Sequence, residues 1–246
     1  DFAQESVDAL GYPTMAAHPG GAPCNFLAAL SALGMKTAFL GKVGEDDFGL
    51  MLRHTLDAAG IDTRGLISAP DVFTTLAFVR FDENRDRSFS FARKPGADTR
   101  LRSDELDLTV IDECRMLHFG TLSLTDEPAR SATQAAVEYA RRRGKLISFD
   151  PNLREPLWPS LDAAAEQMLW GLKNADVVKI SGEEEPVDQA AKVIRGLLSL
   201  SARGEAIHEQ NVRYLIQLVK SGNEDKIQTL AADVLCVTAK GKPIKA

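Results

Sequence analysis

Polar and charged side chains follow several apolar segments of this sequence at the point where a predicted strand ends. In a parallel α/β sheet, ligands bind at the carboxyl ends of the strands. Arg154 carries a planar guanidinium suited to phosphate. These side chains therefore predict a ligand site at one edge of a sheet. They are Lys42 to Asp46 after TAFLG, Ser123 after LHFGTL, Asp150, Asn152 and Arg154 after LISF, and Lys179, Ser181 and Glu184 after DVV.

Two of these motifs have a second interpretation that involves no ligand. The segment DPNLR at 150–154 follows a strand, and Asp-Pro-Asn is also an ordinary turn signal. The acidic run at 183–185 is typical of a solvated helix start, where the helix dipole favours negative charge. Beside Lys179 and Ser181, its carboxylates would instead be suited to hold Mg²⁺ through water.

The stretch PGGAPCN at 19–25 opens a helical pattern directly on two glycines. In one interpretation Gly20 and Gly21 form a simple loop. In the other, they let the backbone approach a polar ligand closely, and Asn25 lies one turn into the helix as a hydrogen-bonding group.

The surrounding pattern predicts the elements that position these residues. Strand and helix alternate through much of the chain, which predicts a parallel sheet with helices on both faces. TTLAFVRF and RSFSFAR flank the polar turn DENRD and alternate apolar with polar residues, which predicts a hairpin that forms a separate flap. Apolar spacing predicts helices over 22–33, 46–59, 126–143 and 160–172, and buried strands at TAFLG, RMLHFG, LISFD and DVVKIS.

Composition limits the class of function. The chain has 246 residues with a net charge of −6, which gives no support to nucleic-acid binding. No apolar run is long enough to cross a membrane. The three cysteines lie far apart and the four histidines lack metal-ligand spacing, so we expect no disulfide framework or zinc site and a reducing cytoplasm. His118 lies in an apolar strand and is expected to be a core residue. Because Asp1 opens the chain in place of methionine, an upstream piece is expected to be absent.

Five stretches together resemble the ribokinase-like (pfkB) family of sugar kinases, and within it the fructokinases. They are PGGAPCN, FLGKVGEDDFG, DRSFSFARKPGAD, LHFGTLSLTDEP and ISFDPNLREPLW. The resemblance runs from Asp1 to about Ile194. It implies a single domain over 1–246, built as a three-layer α/β sandwich with a mainly parallel central sheet. It also implies a small β-lid from about 10–20 and 72–98, through which family members often form homodimers.

The resemblance assigns roles to individual residues. On the sugar side it places Asp1, Gly20, Gly21, Asn25, Lys42 and Arg93, with Asn152 and Arg154 facing the transferred phosphate. Ser181-Gly182-Glu183-Glu184 resembles the family's N-x-x-E magnesium motif, which implies Glu184 at the metal and Lys179 and Ser181 near the nucleotide. The implied reaction is ATP-dependent phosphorylation of the 6-hydroxyl of fructose. The implied cofactors are ATP and Mg²⁺, with K⁺ often activating.

One family motif is absent from the sequence. The family supplies its catalytic base and anion hole from G-A-G-D, but none of the 18 glycines here forms even G-x-G. Residues 196–204 resemble the helix that follows that motif, so we expect an internal deletion near 195–196. Asp150 and Asp233 are the acidic alternatives, but neither lies at a glycine-bearing helix start, so the base remains unassigned.

Three interpretations of function stay open. The sequence omits a segment of an ordinary fructokinase, or the chain is this short and binds sugar without turnover as a sensor or regulatory protein. Within the same fold, a 2-keto-3-deoxygluconate kinase is the alternative. It would need an extra cation facing the substrate carboxylate, and the sequence does not place one.

Overall fold

The computed structural model describes residues 1–81 and 87–179, and they fall into two compact units. The first unit comprises Asp1–Glu113 and Asp126–Ala136, and the second comprises Cys114–Thr125 and the described residues from Val137 onward. Both units mix helices with strands.

A four-stranded sheet in the first unit contains the predicted hairpin. Its order is β2-β1-β7-β8, and β7 and β8 pair antiparallel from Leu76↔Ala92 to Phe81↔Arg87, so the hairpin pairing is confirmed. Strand β1 joins β7 in parallel and β2 antiparallel. The strands are β1 (Phe2–Val7), β2 (Pro13–Ala17), β7 (Leu76–Phe81) and β8 (Arg87–Ala92).

Two short parallel strand pairs and three helices also belong to the first unit. The pairs are β3 with β5 and β4 with β6, and their core is formed by Val43, Leu56, Ile61 and Leu66. These elements are β3 (Thr37–Ala38), β4 (Gly41–Gly44), β5 (Ile61–Asp62), β6 (Leu66–Ala69), α1 (Ala22–Ala32), α2 (Asp47–Ala58) and α3 (Leu108–Glu113).

The prediction of one strand over TAFLG that runs into a loop was wrong. The chain forms β3, breaks at Phe39 and Leu40, and continues as β4 over the predicted loop. The ring of Phe39 packs so closely on Gly41 that a Cβ there would lie 2.5 Å from it. The break therefore turns Phe39 toward the core, and Lys42 lies in a strand.

A parallel three-stranded sheet forms the second unit, in the order β11-β10-β9. Phe119, Ile147, Phe149 and Val178 are buried, and the ring of Phe119 stacks on that of Phe149 with centroids 4.8 Å apart. The elements are β9 (Met116–Gly120), β10 (Leu146–Asp150), β11 (Val177–Val178) and α5 (Leu161–Asn174), while α4 (Ala129–Arg142) is shared between the two units.

The described residues thus form a mixed α/β fold in which the sheets are partly parallel. The four predicted helices are present with ends shifted by up to three residues. Across the described ranges, no helix is long and apolar enough to cross a membrane.

Candidate functional site

Asp1 and Gly20 lie against each other in the first unit. A Cβ built on Gly20 would overlap the carboxylate of Asp1, so only glycine leaves room for that side chain. The backbone of Asp1 is held by His18, whose amide donates to the Asp1 carbonyl at 2.8 Å. Of the two interpretations of this glycine pair, the structure thus supports close approach of a polar group to Gly20, and that group is the Asp1 carboxylate.

Gly21 begins helix α1 with an unusual backbone. Its φ of 117° lies in a region that favours glycine, and it is the residue preceding the first helical position. The amide of Asn25 donates to the Gly21 carbonyl at 3.0 Å, and the Asn25 side chain is exposed. The side-chain amide of Asn25 thus lies one turn after the two glycines and is free of steric cover, so it can form a hydrogen bond with a ligand hydroxyl.

Lys42 is held by an ion pair inside the first unit. Its Nζ donates to Oε1 of Glu105 at 2.6 Å and to the carbonyl of Arg100 at 3.2 Å. Burial raises the pKa of Glu105, but hydrogen bonds from Lys42 and from the Arg102 amide outweigh burial and hold that pKa below its usual range. Glu105 is therefore an anion at neutral pH and balances the charge of Lys42.

Arg93 is a buried arginine with two carboxylate partners. Its Nε donates to Oδ2 of Asp98 at 2.7 Å, and its Nη2 lies 2.7 Å from the same oxygen. Its Nη1 lies 3.6 Å from Oδ2 of Asp126. The hydroxyl of Thr75 also donates to Asp98, so Asp98 joins Arg93 to the residue that precedes β7.

The turn after β10 brings the predicted phosphate-side residues together in the second unit. Asn152 has a φ of 28°, the one positive φ among the described residues other than glycine. Its Oδ1 is buried and has no hydrogen-bond partner in the part of the chain that the structure describes. A buried acceptor without a donor is costly, so Asn152 is suited to accept from a ligand hydroxyl while its Nδ2 donates to a phosphate oxygen.

Thr121 fixes this turn from the 3-10 turn that follows the neighbouring strand β9. Its side chain is completely buried and its hydroxyl donates to the carbonyl of Pro151. Arg154 is half-buried, and its Nη1 donates to the carbonyl of Leu153 at 3.2 Å. The turn therefore has a defined backbone and carries both an amide and a guanidinium.

Lys179 and Asp150 form an ion pair at the ends of β10 and β11. Nζ of Lys179 lies 3.0 Å from Oδ2 of Asp150, and parallel pairing extends to the Lys179 amide, which donates to the Phe149 carbonyl. As a candidate base, Asp150 is thus already bound to a cation.

His118, for which the sequence predicts a core position, is half-buried and hydrogen-bonded. Its Nδ1 lies 3.0 Å from Oγ of Ser148. Burial is the main reason that its pKa lies below the ordinary value, with a smaller opposite effect from Asp150. The imidazole is therefore neutral at neutral pH and hydrogen-bonded across the sheet.

Several predicted residues lie outside the described ranges. Ser181, Glu184 and Asp233 are among them. The structure therefore gives no distances for the residues of the predicted magnesium motif or for one acidic alternative for the base. Within 1–81 and 87–179, no group of three histidine, cysteine or acidic side chains is arranged to hold a metal ion.

Sequence reasoning missed the side chains that hold the predicted ones. Glu105, Asp98 and Thr121 were not singled out, although Asp98 ends the quoted motif RKPGAD and Thr121 lies in LHFGTL. Their roles depend on tertiary contacts, and Lys42 and Glu105 are 63 residues apart.

Comparison with known proteins defines the class. Residues 4–193 match the pfkB family of carbohydrate kinases, and the chain belongs to this family. It is 46% identical over 166 residues to the probable fructokinase-3 of Arabidopsis thaliana, an alignment that covers 68% of this chain and 48% of that protein. The chain thus spans about half the length of the curated relatives it matches.

Solved structures agree with this assignment. Fructokinase from Xylella fastidiosa superposes with a TM-score of 0.73 at 31% identity, covering 80% of this chain and 59% of that chain. Fructokinase from Vibrio cholerae O395, solved with fructose, ADP and calcium bound, gives a TM-score of 0.63 at 30% identity, covering 82% and 65%. The Xylella enzyme has also been solved with bound ATP.

Proposed function

We propose that the protein is a fructokinase-type sugar kinase that transfers a phosphoryl group from ATP to the 6-hydroxyl of fructose. One observation carries the proposal: the Asp1 carboxylate lies against the backbone of Gly20 in a space that excludes any side chain. A carboxylate beside bare backbone is suited to accept hydrogen bonds from neighbouring sugar hydroxyls. We infer that the sugar is fructose, because the relatives are named as fructokinases and one of them has been solved with fructose bound.

The sugar side of the proposed site lies within the first unit. Asp1 accepts from the hydroxyls, Gly20 leaves room for the Asp1 carboxylate, and Gly21 allows close approach. The exposed side-chain amide of Asn25 supplies further hydrogen bonds. Lys42 and Arg93 are fixed by their carboxylate partners. Because these groups are fixed before the sugar arrives, less conformational entropy is lost on binding.

The phosphate side is proposed to lie in the second unit. Asn152 and Arg154 share one turn, so an amide and a guanidinium can both donate to phosphoryl oxygens. Lys179 carries a largely exposed ammonium and is proposed to contact the nucleotide, as is Ser181. Bound Mg²⁺, with Glu184 proposed to hold it and with K⁺ as activator, would neutralise phosphate charge.

The similarity to fructokinases also supports a proposal for the complete fold. We infer a complete ribokinase-like three-layer sandwich with a mainly parallel central sheet, and a lid that includes the β7–β8 hairpin. A homodimer through that lid and a cytoplasmic location remain parts of the proposal.

A second function has its own supporting observation. No G-x-G occurs among the 18 glycines, so the family's motif for the catalytic base and anion hole is missing from this sequence. A sugar-binding protein without turnover is therefore the competing hypothesis for this chain.

Two measurements separate these functions. Calorimetric titration of D-fructose onto the 246-residue chain tests binding, and a coupled ADP-release assay with ATP, Mg²⁺ and K⁺ tests turnover. Fructose-dependent ADP release supports the kinase. Binding without ADP release supports the sugar-binding protein.

A matched pair of variants tests the residue that carries the proposal. Asp1→Ala is expected to weaken fructose binding about tenfold or more, because it removes a charged acceptor. Glu5→Ala removes an exposed carboxylate from the adjoining strand and is expected to leave binding within about twofold. Equal affinity of the two variants, or no binding by the unmodified chain, would overturn the proposed sugar site.

A further inference from the structure

The two cations on the proposed sugar side are buried, and their carboxylate partners are more exposed. The side chain of Lys42 is 8% exposed and that of its partner Glu105 is 18% exposed. The side chain of Arg93 is 4% exposed, while those of Asp98 and Asp126 are 41% and 54% exposed. The carboxylates are therefore more accessible to an incoming molecule than either cation.

One short helical turn organises both ion pairs. The 3-10 turn Ala97–Arg100 carries Asp98, which binds Arg93, and the carbonyl of Arg100, which accepts from Lys42. Its backbone is tied to the segment before β7, because the amide of Ala97 donates to the Phe73 carbonyl at 2.9 Å. The pairs are therefore part of the fold and do not need a ligand to form.

The charge balance disfavours an anionic ligand. The three cations of this network, Lys42, Arg93 and Arg102, are matched by four carboxylates, which are Glu105, Asp98, Asp126 and Asp104. A ligand carboxylate would have to approach these anions without an uncompensated cation to receive it, which is unfavourable at close range. Uncharged hydroxyls can donate to the same carboxylates without that penalty.

We propose that Asp98 and Glu105 are specificity-determining residues that restrict the site to uncharged sugars and exclude sugar acids. They act by neutralising Arg93 and Lys42, the only cations assigned to the sugar side, so that neither binds a substrate carboxylate. This inference rests on the proposed function and deepens it. It disfavours the 2-keto-3-deoxygluconate kinase that the sequence left open.

The test compares one neutral and one acidic ligand on the full chain. Calorimetric titration of D-fructose and of 2-keto-3-deoxy-D-gluconate gives the affinity ratio for the unmodified protein. We expect fructose to bind at least about tenfold more tightly. We expect Asp98→Asn and Glu105→Gln each to reduce this ratio by about threefold to tenfold, mainly through tighter binding of the acid.

Asp104→Asn is the matched control. It removes the same charge from the same segment, but its side chain is 72% exposed. It pairs with Arg102, which also lies 3.9 Å from Glu105, and it forms no ion pair with either buried cation. The ratio is expected to stay within about twofold, because exposed charges are screened by salt. Glu105→Gln keeps an acceptor for Lys42, so it also serves if Asp98→Asn proves poorly folded by circular dichroism.

Each result has a defined meaning. Equal binding of the two ligands by the unmodified chain, or a ratio that changes as much in Asp104→Asn as in the other variants, would overturn the specificity role alone. Binding of neither ligand would overturn the proposed function and this inference with it. A ratio that narrows only in Asp98→Asn and Glu105→Gln would support both.

Discussion

One carboxylate oxygen of Asp46 accepts a hydrogen bond from the backbone amide of Thr74 at 2.7 Å, while the other accepts from the amide of Gly49 at 2.8 Å. The first contact fixes the segment that leads into β7, and the second caps helix α2. The hydroxyl of Thr74 also accepts from the Gly44 amide at 2.9 Å. The Asp46 side chain thus joins the helix start to the base of the hairpin, and the Thr74 side chain joins the end of β4 to the same point.

Removal of this carboxylate is expected to destabilise the protein. Asp46→Ala loses the helix cap and leaves the Thr74 amide unpaired, so the free energy of unfolding should fall by about 1–2 kcal/mol. Urea unfolding followed by far-ultraviolet circular dichroism measures the change. Asp47→Ala is the control, because Asp47 is exposed in the first turn and should cost less than about 1 kcal/mol. An equal cost for both variants would contradict the role of Asp46.

The contribution of Asp46 should also depend on pH. Burial raises the pKa of Asp46, but hydrogen bonds from the amides of Thr74 and Gly49 outweigh it and hold the pKa below the ordinary value of 3.8. A depressed folded-state pKa means that the stabilisation is present above pH 3.8 and is lost as pH falls through the folded-state pKa. The difference in unfolding free energy between the unmodified protein and Asp46→Asn should therefore be largest near neutral pH. A difference that stays constant down to strongly acidic pH would contradict this.

Substitution of Gly20 should disturb the sugar side without a comparable loss of stability. Gly20→Ala places a Cβ where the Asp1 carboxylate lies, so Asp1 must move and fructose binding should weaken by at least about tenfold. Gly34→Ala is the control, because Gly34 has a φ of 82° with open space around its Cβ position. That variant is strained but should keep its affinity within about twofold. Calorimetric titration measures both, and unchanged affinity in Gly20→Ala would contradict the placement of Asp1.

Local signals predicted those parts of the fold that depend on local interactions. Helix α2 follows Asp46 and ends before Gly60, which has a φ of 72°, and both residue types are ordinary helix boundaries. The resemblance implied β-lid structure at about 10–20, but the local pattern did not predict strands β1 and β2. Their pairing joins Phe2 to Ala17 and contains an irregularity between Gln4 and Ser6. Such register depends on distant partners that a local pattern does not contain.

The same distinction applies to the candidate site. Asn152 could be predicted from turn chemistry alone, and its positive φ agrees with the tolerance of asparagine for that conformation. The partners of Lys42 and Arg93 could not be predicted, because Glu105 and Asp98 lie in a charged segment whose spacing resembles any solvated loop. The sequence thus indicated which groups carry charge, and only the fold showed that these charges are compensated.

Helix α5 packs on β10 through Gly171, and the fit leaves no space for a methyl group. A Cβ on Gly171 would lie 2.5 Å from the ring of Phe149, which is completely buried. Replacement of a helical glycine by alanine ordinarily stabilises a helix by about 0.5–1 kcal/mol. Here we expect Gly171→Ala to destabilise by about 1–3 kcal/mol through overpacking.

The sign of the change decides this prediction. Urea unfolding of Gly171→Ala should show a lower midpoint than the unmodified protein. Glu166→Ala tests helix propensity alone on an exposed position of the same helix, and it should shift the unfolding free energy by no more than about 0.5 kcal/mol. A stabilised Gly171→Ala variant would show that α5 does not pack on Phe149 in this way.

The hydrogen bond from Thr121 to the Pro151 carbonyl should stabilise the turn that carries Asn152. Thr121→Val keeps the shape of the buried side chain but removes the donor, which leaves that buried carbonyl unpaired and should cost about 1–3 kcal/mol. Thr121→Ser keeps the donor and loses one methyl group, so it should cost about 1 kcal/mol.

Thr133→Val makes the same chemical change within helix α4, where the Ala129 carbonyl that accepts from the Thr133 hydroxyl also accepts from the helix backbone. Its cost should stay near 0.5 kcal/mol or below, roughly the value for a replaceable contact. Equal losses of unfolding free energy in Thr121→Val and Thr133→Val, measured by urea denaturation, would show that Thr121 does not hold the turn.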